Sequence, residues 1–248
     1  YEVDVPMRII PTGIEVNGFV RPDITKEDTE KLRERLGIHA DQLMILSLSR
    51  ISYEKNIQVI IKQFPEVLMN LPNARLVIVG KGPYCEELKA MSHELGIDEY
   101  VQFAGEVPHD EVACYYHSAD YFVSASTSET QGLTYAEAIA SGTQCVVEGN
   151  DYLNELCDDD SLGVTFEKDG DFSETLVDYI HQQISLDSEV QKAKLLEISA
   201  DRFGEDVLDF YQELIGSYVK APSSEKLPKR TVRKVRVRIN SLKNSEDK

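Results

Sequence analysis

The sequence predicts an α/β protein built on a Rossmann-like, doubly wound parallel sheet of about six strands. Two observations predict this class. Short apolar runs rich in β-branched residues alternate with segments whose apolar residues recur at helical spacing. Loops rich in glycine, serine and charged residues follow several of these runs. Ligands of such sheets bind beyond the carboxyl ends of the strands, so the strand-to-helix loops are where a site is expected.

The elements are predicted in chain order from these patterns. The strands are Met44–Ser49, Arg75–Val79, Val101–Ala104, Tyr121–Ser124, Gln144–Val147 and Gly163–Phe166. The helices are Ile57–Asn70, Tyr84–Leu95, Asp110–Ser118, Leu133–Ala140, Phe172–Ser185, Glu189–Ser199 and Glu205–Tyr218. An apolar stripe on the last helix is typical of a docking face, and its members are Val207, Leu208, Tyr211, Leu214 and Ile215.

The net charge of −18 conceals two segments of opposite charge. Residues 220–248 carry ten Lys or Arg and three acidic side chains, a net charge of +7, which leaves −25 on residues 1–219. An acidic body argues against nucleic-acid binding, because affinity for phosphate backbones depends on Lys and Arg. The basic tail is expected to contact an anionic membrane surface, to remain solvated, or to form a strand that pairs elsewhere in the protein.

Composition excludes several other classes. The four cysteines form no C-x-x-C pair and the five histidines have no ligand-like spacing, so neither a zinc site nor a disulfide framework is expected. Scattered thiols fit a reducing cytoplasm. No apolar run approaches the roughly 18 residues that span a bilayer. The first residue is Tyr1 rather than Met, and we expect the chain to be a piece of a longer polypeptide.

The segment Ser126–Gly142, STSETQGLTYAEAIASG, carries the strongest chemical signal. Glu129 lies in a loop, and Glu137 lies in the first or second turn of the helix that follows. The amides of Gly132, Leu133 and Thr134 at the helix start are suited to bind a diphosphate. A carboxylate beside them is suited to accept hydrogen bonds from a ribose diol. The alternative is that Glu129 is solvated and Glu137 only favours the helix dipole.

Two other loops supply groups for the same sheet edge. Arg50 and Lys55 stand five residues apart after the first strand, and their charges suit a pyrophosphate. The alternative is a surface pair with Glu54. Gly80 and Gly82 follow the second strand, where they either allow close approach of the backbone to a ligand or form an ordinary tight turn.

Three motifs in order, SRISYEKN, VIVGKGP and ETQGLTYAE, make residues 8–219 similar to the carboxy-terminal domain of glycosyltransferase family 4, retaining enzymes of the GT-B fold. The resemblance implies that Arg50 and Lys55 bind the donor diphosphate. It implies that Glu129 contacts the transferred hexose and Glu137 the ribose. The backbone amides of Gln131, Gly132, Leu133 and Thr134 are implied on the hexose and the phosphates.

The resemblance also implies the domain organisation. Residues 1–13 resemble the interdomain hinge, residues 14–219 the donor-binding domain with its crossover helix, and residues 220–248 are a basic tail. The missing partner is a preceding Rossmann-like domain that binds the acceptor, so the isolated fragment is expected to be inactive. The pattern Glu-Thr-Gln-Gly, which begins at Glu129, departs from the more common Glu-Gly-Phe-Gly and resembles bacterial diacylglycerol glucosyltransferases.

These features predict a hexosyltransferase that moves glucose from UDP-glucose to a lipid acceptor at the inner face of the cell membrane. No cofactor is expected, and no metal, because no Asp-x-Asp motif stands in a matching loop. Glu129 is interpreted as a positioning residue, with a nucleophilic role as the alternative. Two other hypotheses stay open: a transferase that acts on a teichoic acid, polysaccharide or protein, and a nucleotide-sugar-binding module without activity.

Overall fold

The structure, a computed structural model, describes residues 6–127, 132–168 and 170–219, and it describes side chains as far as residue 216. Its centre is a six-stranded sheet in which all pairings are parallel. The strands are β1 (Leu43–Leu48), β2 (Ala74–Val79), β3 (Val101–Gly105), β4 (Tyr121–Ser124), β5 (Gln144–Glu148) and β6 (Gly163–Phe166). Their spatial order is β3-β2-β1-β4-β5-β6, which confirms the predicted doubly wound sheet.

Helices connect the strands and cover both faces of the sheet. In the described part of the chain they are α1 (Lys26–Arg35), α2 (Ile57–Asn70), α3 (Cys85–Glu94), α4 (His109–Ser118), α5 (Leu133–Ala140), α6 (Asp151–Leu156), α7 (Phe172–Gln182), α8 (Ser188–Glu197) and α9 (Ala200–Val219). One face packs against α1, α4, α5 and α6, and the other against α2, α3 and α7.

The alternation of side chains along β1 shows how the two cores arise. Met44 and Leu46 point into the first core, whereas Ile45, between them, points into the second. All three side chains are fully buried. A strand that is covered on both faces is apolar at successive positions rather than alternating, and this explains the continuous apolar runs in the sequence.

The structure corrects several predicted helix boundaries and adds two helices. Helix α7 ends at Gln182 rather than Ser185, because Gln183 adopts a left-handed conformation with φ of 51°. Helix α9 begins at Ala200 rather than Glu205, and the Ser199 hydroxyl accepts a hydrogen bond from the Arg202 amide at 3.1 Å. Helices α1 and α6 were not predicted.

The chain divides into two compact units, of which residues 10–206 form the larger. Within this unit, Ile14 pairs with the junction between α8 and α9: its amide donates to the Ile198 carbonyl at 2.9 Å, and its carbonyl accepts from the Ala200 amide at 2.8 Å. A Cβ on Gly13 would lie 2.1 Å from the Ser199 carbonyl oxygen, so this close pairing requires glycine.

The second unit contains residues 6–9 and the part of α9 that begins at Val207. There Arg8 donates to the Glu213 carboxylate at 2.9 Å and lies 5.3 Å from the ring centroid of Phe210. The predicted apolar stripe is divided in the structure. Val207 and Leu214 are partly buried, whereas Leu208, Tyr211 and Ile215 are 60%, 59% and 62% exposed. The hinge and tail boundaries predicted at residues 13 and 220 stay predictions.

Candidate functional site

The order in which successive strands are added to the sheet reverses between β1 and β4, which are parallel neighbours although they are not consecutive in sequence. The connections from β1 lead outward to β2 and β3, and the chain then returns to β4 on the other side of β1. The loops that follow β1 and β4 therefore diverge at their carboxyl ends and leave a crevice, which is where doubly wound sheets bind ligands. The predicted site residues belong to the loops around this crevice.

The loop that follows β1 carries Arg50 and Lys55 and is held by internal hydrogen bonds. The Ser52 hydroxyl donates to the Glu54 carboxylate at 2.6 Å, and the pKa of Glu54 is lowered mainly by this bond and to a smaller extent by the charges of Arg50 and Lys55. Arg50 is exposed, and no carboxylate of a described residue lies within ion-pair distance of it. Arg50 therefore forms no close ion pair with Glu54, although its charge contributes to the lowered pKa of that carboxyl. For Lys55 the alternative stays a prediction.

Gln58 closes this loop from the first turn of α2. Its side-chain amide donates to the Tyr53 carbonyl at 3.1 Å and to Asn56 Oδ1 at 2.9 Å. Asn56 itself is in the left-handed conformation with φ of 55°. Gln58 is 7% exposed, so these bonds are shielded from water and fix the end of the turn that carries Lys55.

The glycines after β2 pack against the loop that follows β1. The Ile51 amide donates to the Lys81 carbonyl at 2.9 Å. A Cβ on Gly80 would lie 1.9 Å from the Ser49 carbonyl oxygen, and one on Gly82 would lie 1.9 Å from the Ile51 carbonyl oxygen. Gly80 also has φ of +135°, a value that disfavours other residues. Both glycines are therefore required by contact between two loops, and their predicted contact with a donor stays a prediction.

Helix α5 begins at the carboxyl side of β4 with Gly132 as its N-cap. The Gly132 backbone is left-handed with φ of 61°, and a Cβ there would lie 2.4 Å from the Tyr152 ring. The amides of Gly132, Leu133 and Thr134 have no acceptor among the described residues. A helix start whose amides lack acceptors among the described residues is suited to an anion.

Glu137 lies half-buried in α5, one turn beyond these amides. The Tyr116 hydroxyl, on α4, donates to Glu137 Oε2 at 3.1 Å. Burial raises the pKa of Glu137, whereas the bond from Tyr116 and the charge of His109 oppose that rise. The helix thus places a partly accessible carboxylate beside a cluster of amide donors, as the sequence predicted.

Three predicted features lie outside the described residues. They are Glu129, Gln131 and the basic tail of residues 220–248. Their predicted roles stay predictions.

Tyr116 and Tyr152 both support the site, although neither is predicted from the sequence. Tyr116 is fully buried and bonds to Glu137, and the Tyr152 ring covers Gly132. In the sequence, Tyr116 occupies a position on its helix that is typical of a core residue. No motif connects it with Glu137. Only the tertiary contact between α4 and α5 identifies it.

Within residues 6–127, 132–168 and 170–219, no group of three or more His, Cys, Asp or Glu side chains is placed to hold a metal ion. In the same ranges, no helix has both the length and the apolarity to cross a bilayer.

The arrangement joins three kinds of group around one crevice. Arg50 supplies a positive charge on the β1 side, the α5 amides supply donors on the β4 side, and Glu137 supplies an acceptor. Positive charge and amide donors bind phosphate oxygens, and a carboxylate binds a diol. A ligand with a diphosphate next to a ribose matches this set.

A model of the family described as glycosyl transferases group 1 matches residues 28–195 of the chain. This range contains Arg50, Gly80, Gly132 and Glu137.

Two curated relatives are similar over most of the chain. The alpha-monoglucosyldiacylglycerol synthase of Streptococcus pneumoniae is 44% identical over 215 residues, which is 87% of this chain and 49% of the relative. The protein of the same name from Acholeplasma laidlawii is 34% identical over 174 residues, 70% of this chain and 44% of the relative. The chain thus spans about half the length of these relatives.

Solved structures of glycosyltransferases share the fold. The Anabaena protein HepE in complex with UDP superimposes with a TM-score of 0.72 at 18% identity, over 83% of this chain and 57% of HepE. The same protein in complex with UDP-glucose gives a TM-score of 0.70 at 19% identity, over the same shares of the two chains. The fold is therefore that of one half of a GT-B transferase.

Proposed function

The chain belongs to the glycosyl transferases group 1 family, and from this premise we propose that it is the donor-binding half of a hexosyltransferase that uses UDP-glucose. One observation carries the proposal. The half-buried carboxylate of Glu137 lies one turn from amides at the start of α5 that have no acceptor among the described residues, on the side of the crevice opposite the loop of Arg50.

The proposed donor extends across the crevice. Glu137 accepts hydrogen bonds from the ribose diol, the amides of Gly132, Leu133 and Thr134 bind the diphosphate and the hexose, and Gln131 adds a contact to the hexose. Arg50 and Lys55 neutralise the diphosphate from the β1 side. HepE, which has the same fold, has crystal structures in complex with UDP and with UDP-glucose, and this supports a uridine donor.

The proposed chemistry depends on charge stabilisation. As the bond between glucose and UDP breaks, negative charge accumulates on the diphosphate, and Arg50, Lys55 and the helix amides stabilise it without a metal. Removal of one such donor from an active site costs about 2.7–4 kcal/mol of transition-state stabilisation. We assign Glu129 to hold the hexose while the acceptor hydroxyl attacks the face from which UDP departs, which retains the anomeric configuration.

We propose a lipid, and specifically diacylglycerol, as the acceptor. The support is the name of the two relatives, alpha-monoglucosyldiacylglycerol synthase. The acceptor site belongs to the preceding domain, because the chain spans about half of each relative and already contains the donor side. The hinge at residues 1–13 joins the two, and the fragment alone transfers no sugar. A teichoic acid, polysaccharide or protein acceptor is the alternative.

We also propose that the tail of residues 220–248, with its net charge of +7, attaches the protein to the inner face of the cell membrane. Anionic headgroups attract a basic segment by about 1 kcal/mol per basic residue near the surface. In flotation assays with phosphatidylserine vesicles, the chain should float, and a chain truncated after residue 220 should not. Equal flotation of both chains, or equal binding to neutral phosphatidylcholine vesicles, would contradict the proposal.

Calorimetric titration of the chain tests the donor assignment. UDP and UDP-glucose should bind, GDP-mannose should bind at least about tenfold more weakly, and Glu137→Ala should weaken UDP binding by at least about tenfold, which corresponds to about 1.4 kcal/mol. Glu111→Ala is the matched control, because this half-buried glutamate pairs with Arg35 and has no assigned contact with the donor. An unchanged UDP affinity in Glu137→Ala would reject the assignment of Glu137 to the ribose. A preference for GDP-mannose would show that the donor is a guanosine diphosphate sugar and not UDP-glucose.

A further inference from the structure

Tyr116 is a buried residue to which neither the motifs nor the proposed chemistry assign a role. It is fully buried on α4. Its ring is held edge-on between Phe19 at 6.1 Å and Phe122 at 5.7 Å, measured between centroids. Its carbonyl accepts a hydrogen bond from the Thr143 hydroxyl at 2.7 Å. These contacts hold the ring and the backbone of Tyr116 in place and thereby fix the position of its hydroxyl oxygen.

The hydroxyl of Tyr116 donates to Glu137. Tyr116 Oη lies 3.1 Å from Glu137 Oε2, and it is the only donor to this carboxylate among the described residues. A phenol has a single proton to donate. Glu137 Oε1 is therefore left for another partner, and rotation of the carboxylate is limited by the bond to Oε2.

We propose that Tyr116 is a positioning residue that orients the Glu137 carboxylate so that one oxygen faces the ribose diol of the donor. This inference rests on the proposed function. Tyr116 does not touch the donor; it acts through Glu137. Binding of a diol by two hydrogen bonds requires a fixed carboxylate plane, and a side chain that is already oriented loses less freedom when the ligand binds.

The contact has a second consequence, because it favours the ionised form of Glu137. Burial raises the pKa of Glu137, and the hydrogen bond from Tyr116 is the larger of the two effects that lower it, the other being the charge of His109. Burial and the negative charge of Glu137 raise the pKa of Tyr116 itself, so the phenol stays protonated and remains a donor. Loss of the phenol should therefore extend protonation of Glu137 to higher pH.

The test is the pH dependence of UDP affinity in Tyr116→Phe. At pH 7 we expect UDP to bind about tenfold more weakly than to the unmodified chain, because the Glu137 carboxylate then has to be ordered when the ligand binds. As the pH falls, the affinity of the variant should begin to decrease at a higher pH than that of the unmodified chain. Titration of the UDP phosphates is common to both proteins and cancels in the comparison.

Tyr179→Phe is the matched control. Tyr179 is 4% exposed, and its hydroxyl donates to the Asp160 carbonyl at 2.5 Å in the other core. This variant also loses a buried phenolic hydrogen bond, and it should keep the UDP affinity and pH profile of the unmodified chain. In the Glu137→Ala background, Tyr116→Phe should have no further effect on UDP affinity.

The outcomes separate this inference from the proposed function. If the unmodified chain binds UDP and Tyr116→Phe binds it with the same affinity and pH profile, Tyr116 has no positioning role, although the proposed site stands. An equal loss of affinity in Tyr116→Phe with and without Glu137 would assign the effect to folding and overturn the inference. If the unmodified chain binds no UDP, the proposed function and the inference are both rejected.

Discussion

At the scale of single residues, the site depends on glycines, which have no side chain, as much as on its charged residues. Gly80 and Gly82 allow two loops to approach until a Cβ would meet a carbonyl oxygen at 1.9 Å. Gly132 allows the Tyr152 ring to cover the start of α5. The loop of Arg50 is thus held in place by backbone contact. A larger residue at Gly80 or Gly82 would have to displace this loop.

Gly82→Ala tests this contact. The added methyl would meet the Ile51 carbonyl oxygen, which belongs to the backbone and yields only if the loop moves. We expect a loss of about 2 kcal/mol of unfolding free energy, within the range for overpacked sites. UDP affinity should fall as well, because Arg50 is in the displaced loop.

Gly204→Ala is the control for that prediction, measured by urea denaturation in parallel. Gly204 lies inside α9, and nothing is within 4 Å of a Cβ built there. This variant should gain about 0.5–1 kcal/mol, because alanine loses less conformational freedom than glycine in a helix. A Gly82→Ala chain as stable as the unmodified one would show that the loops are not in the close contact described.

Part of the site could be predicted from residue types and spacing. The helix after Gly132 and the position of Glu137 within it are confirmed, because a glycine followed by an apolar helical pattern is a local signal. The bond from Tyr116 to Glu137 could not be predicted, because it joins residues on two different helices, 21 positions apart in sequence. The pairing of Glu54 with Ser52 rather than Arg50 likewise depends on the exact turn conformation.

At the scale of elements, the predicted and observed bounds of strands and helices agree best where the apolar pattern in the sequence is pronounced. Every predicted strand is within one residue of the observed bounds, and α2 and α5 have the bounds that were predicted. Helix α1 was missed because its surface is mostly charged and only Leu32 is buried, so apolar periodicity is weak. Its capping box was a sufficient signal: the Thr25 hydroxyl accepts from the Asp28 amide, and the Asp28 carboxylate accepts from the Thr25 amide.

Thr25→Ala tests the contribution of this capping box. We expect a loss of about 1 kcal/mol of unfolding free energy at neutral pH, the usual effect of removing an N-cap. Thr29→Ala, one turn later, removes a hydroxyl that donates only to the Lys26 carbonyl and should change stability little.

The pH dependence of the Thr25→Ala effect follows from Asp28. The bonds from Thr25 lower the pKa of Asp28. Stability from a lowered carboxyl pKa is present above the unfolded-state pKa and is lost as the pH falls through the folded-state value. The difference between Thr25→Ala and the unmodified chain should therefore shrink on acidification. A difference that grows in acid would contradict the described hydrogen bonds.

At the scale of the whole molecule, the sequence predicted the family and the fold, and both are confirmed. Motifs separated by about 80 residues in sequence are brought together because parallel strands place their carboxyl ends at one edge. The exposed members of the α9 stripe, Leu208, Tyr211 and Ile215, could not be assigned a partner from the sequence. The chain spans about half the length of the two relatives, and the location of the acceptor site in a preceding domain stays a proposal.

The central claim is that the Glu137 carboxylate accepts hydrogen bonds from the ribose hydroxyls of a uridine diphosphate. The most direct test is a double cycle of calorimetric titrations, in which the unmodified chain and Glu137→Ala are each titrated with UDP and with 2′-deoxy-UDP. We predict that loss of the 2′-hydroxyl weakens binding to the unmodified chain by about tenfold, as expected for a hydrogen bond to a charged group, and has no effect on the variant. Equal losses in both chains would show that the ribose contact lies elsewhere and would contradict the account.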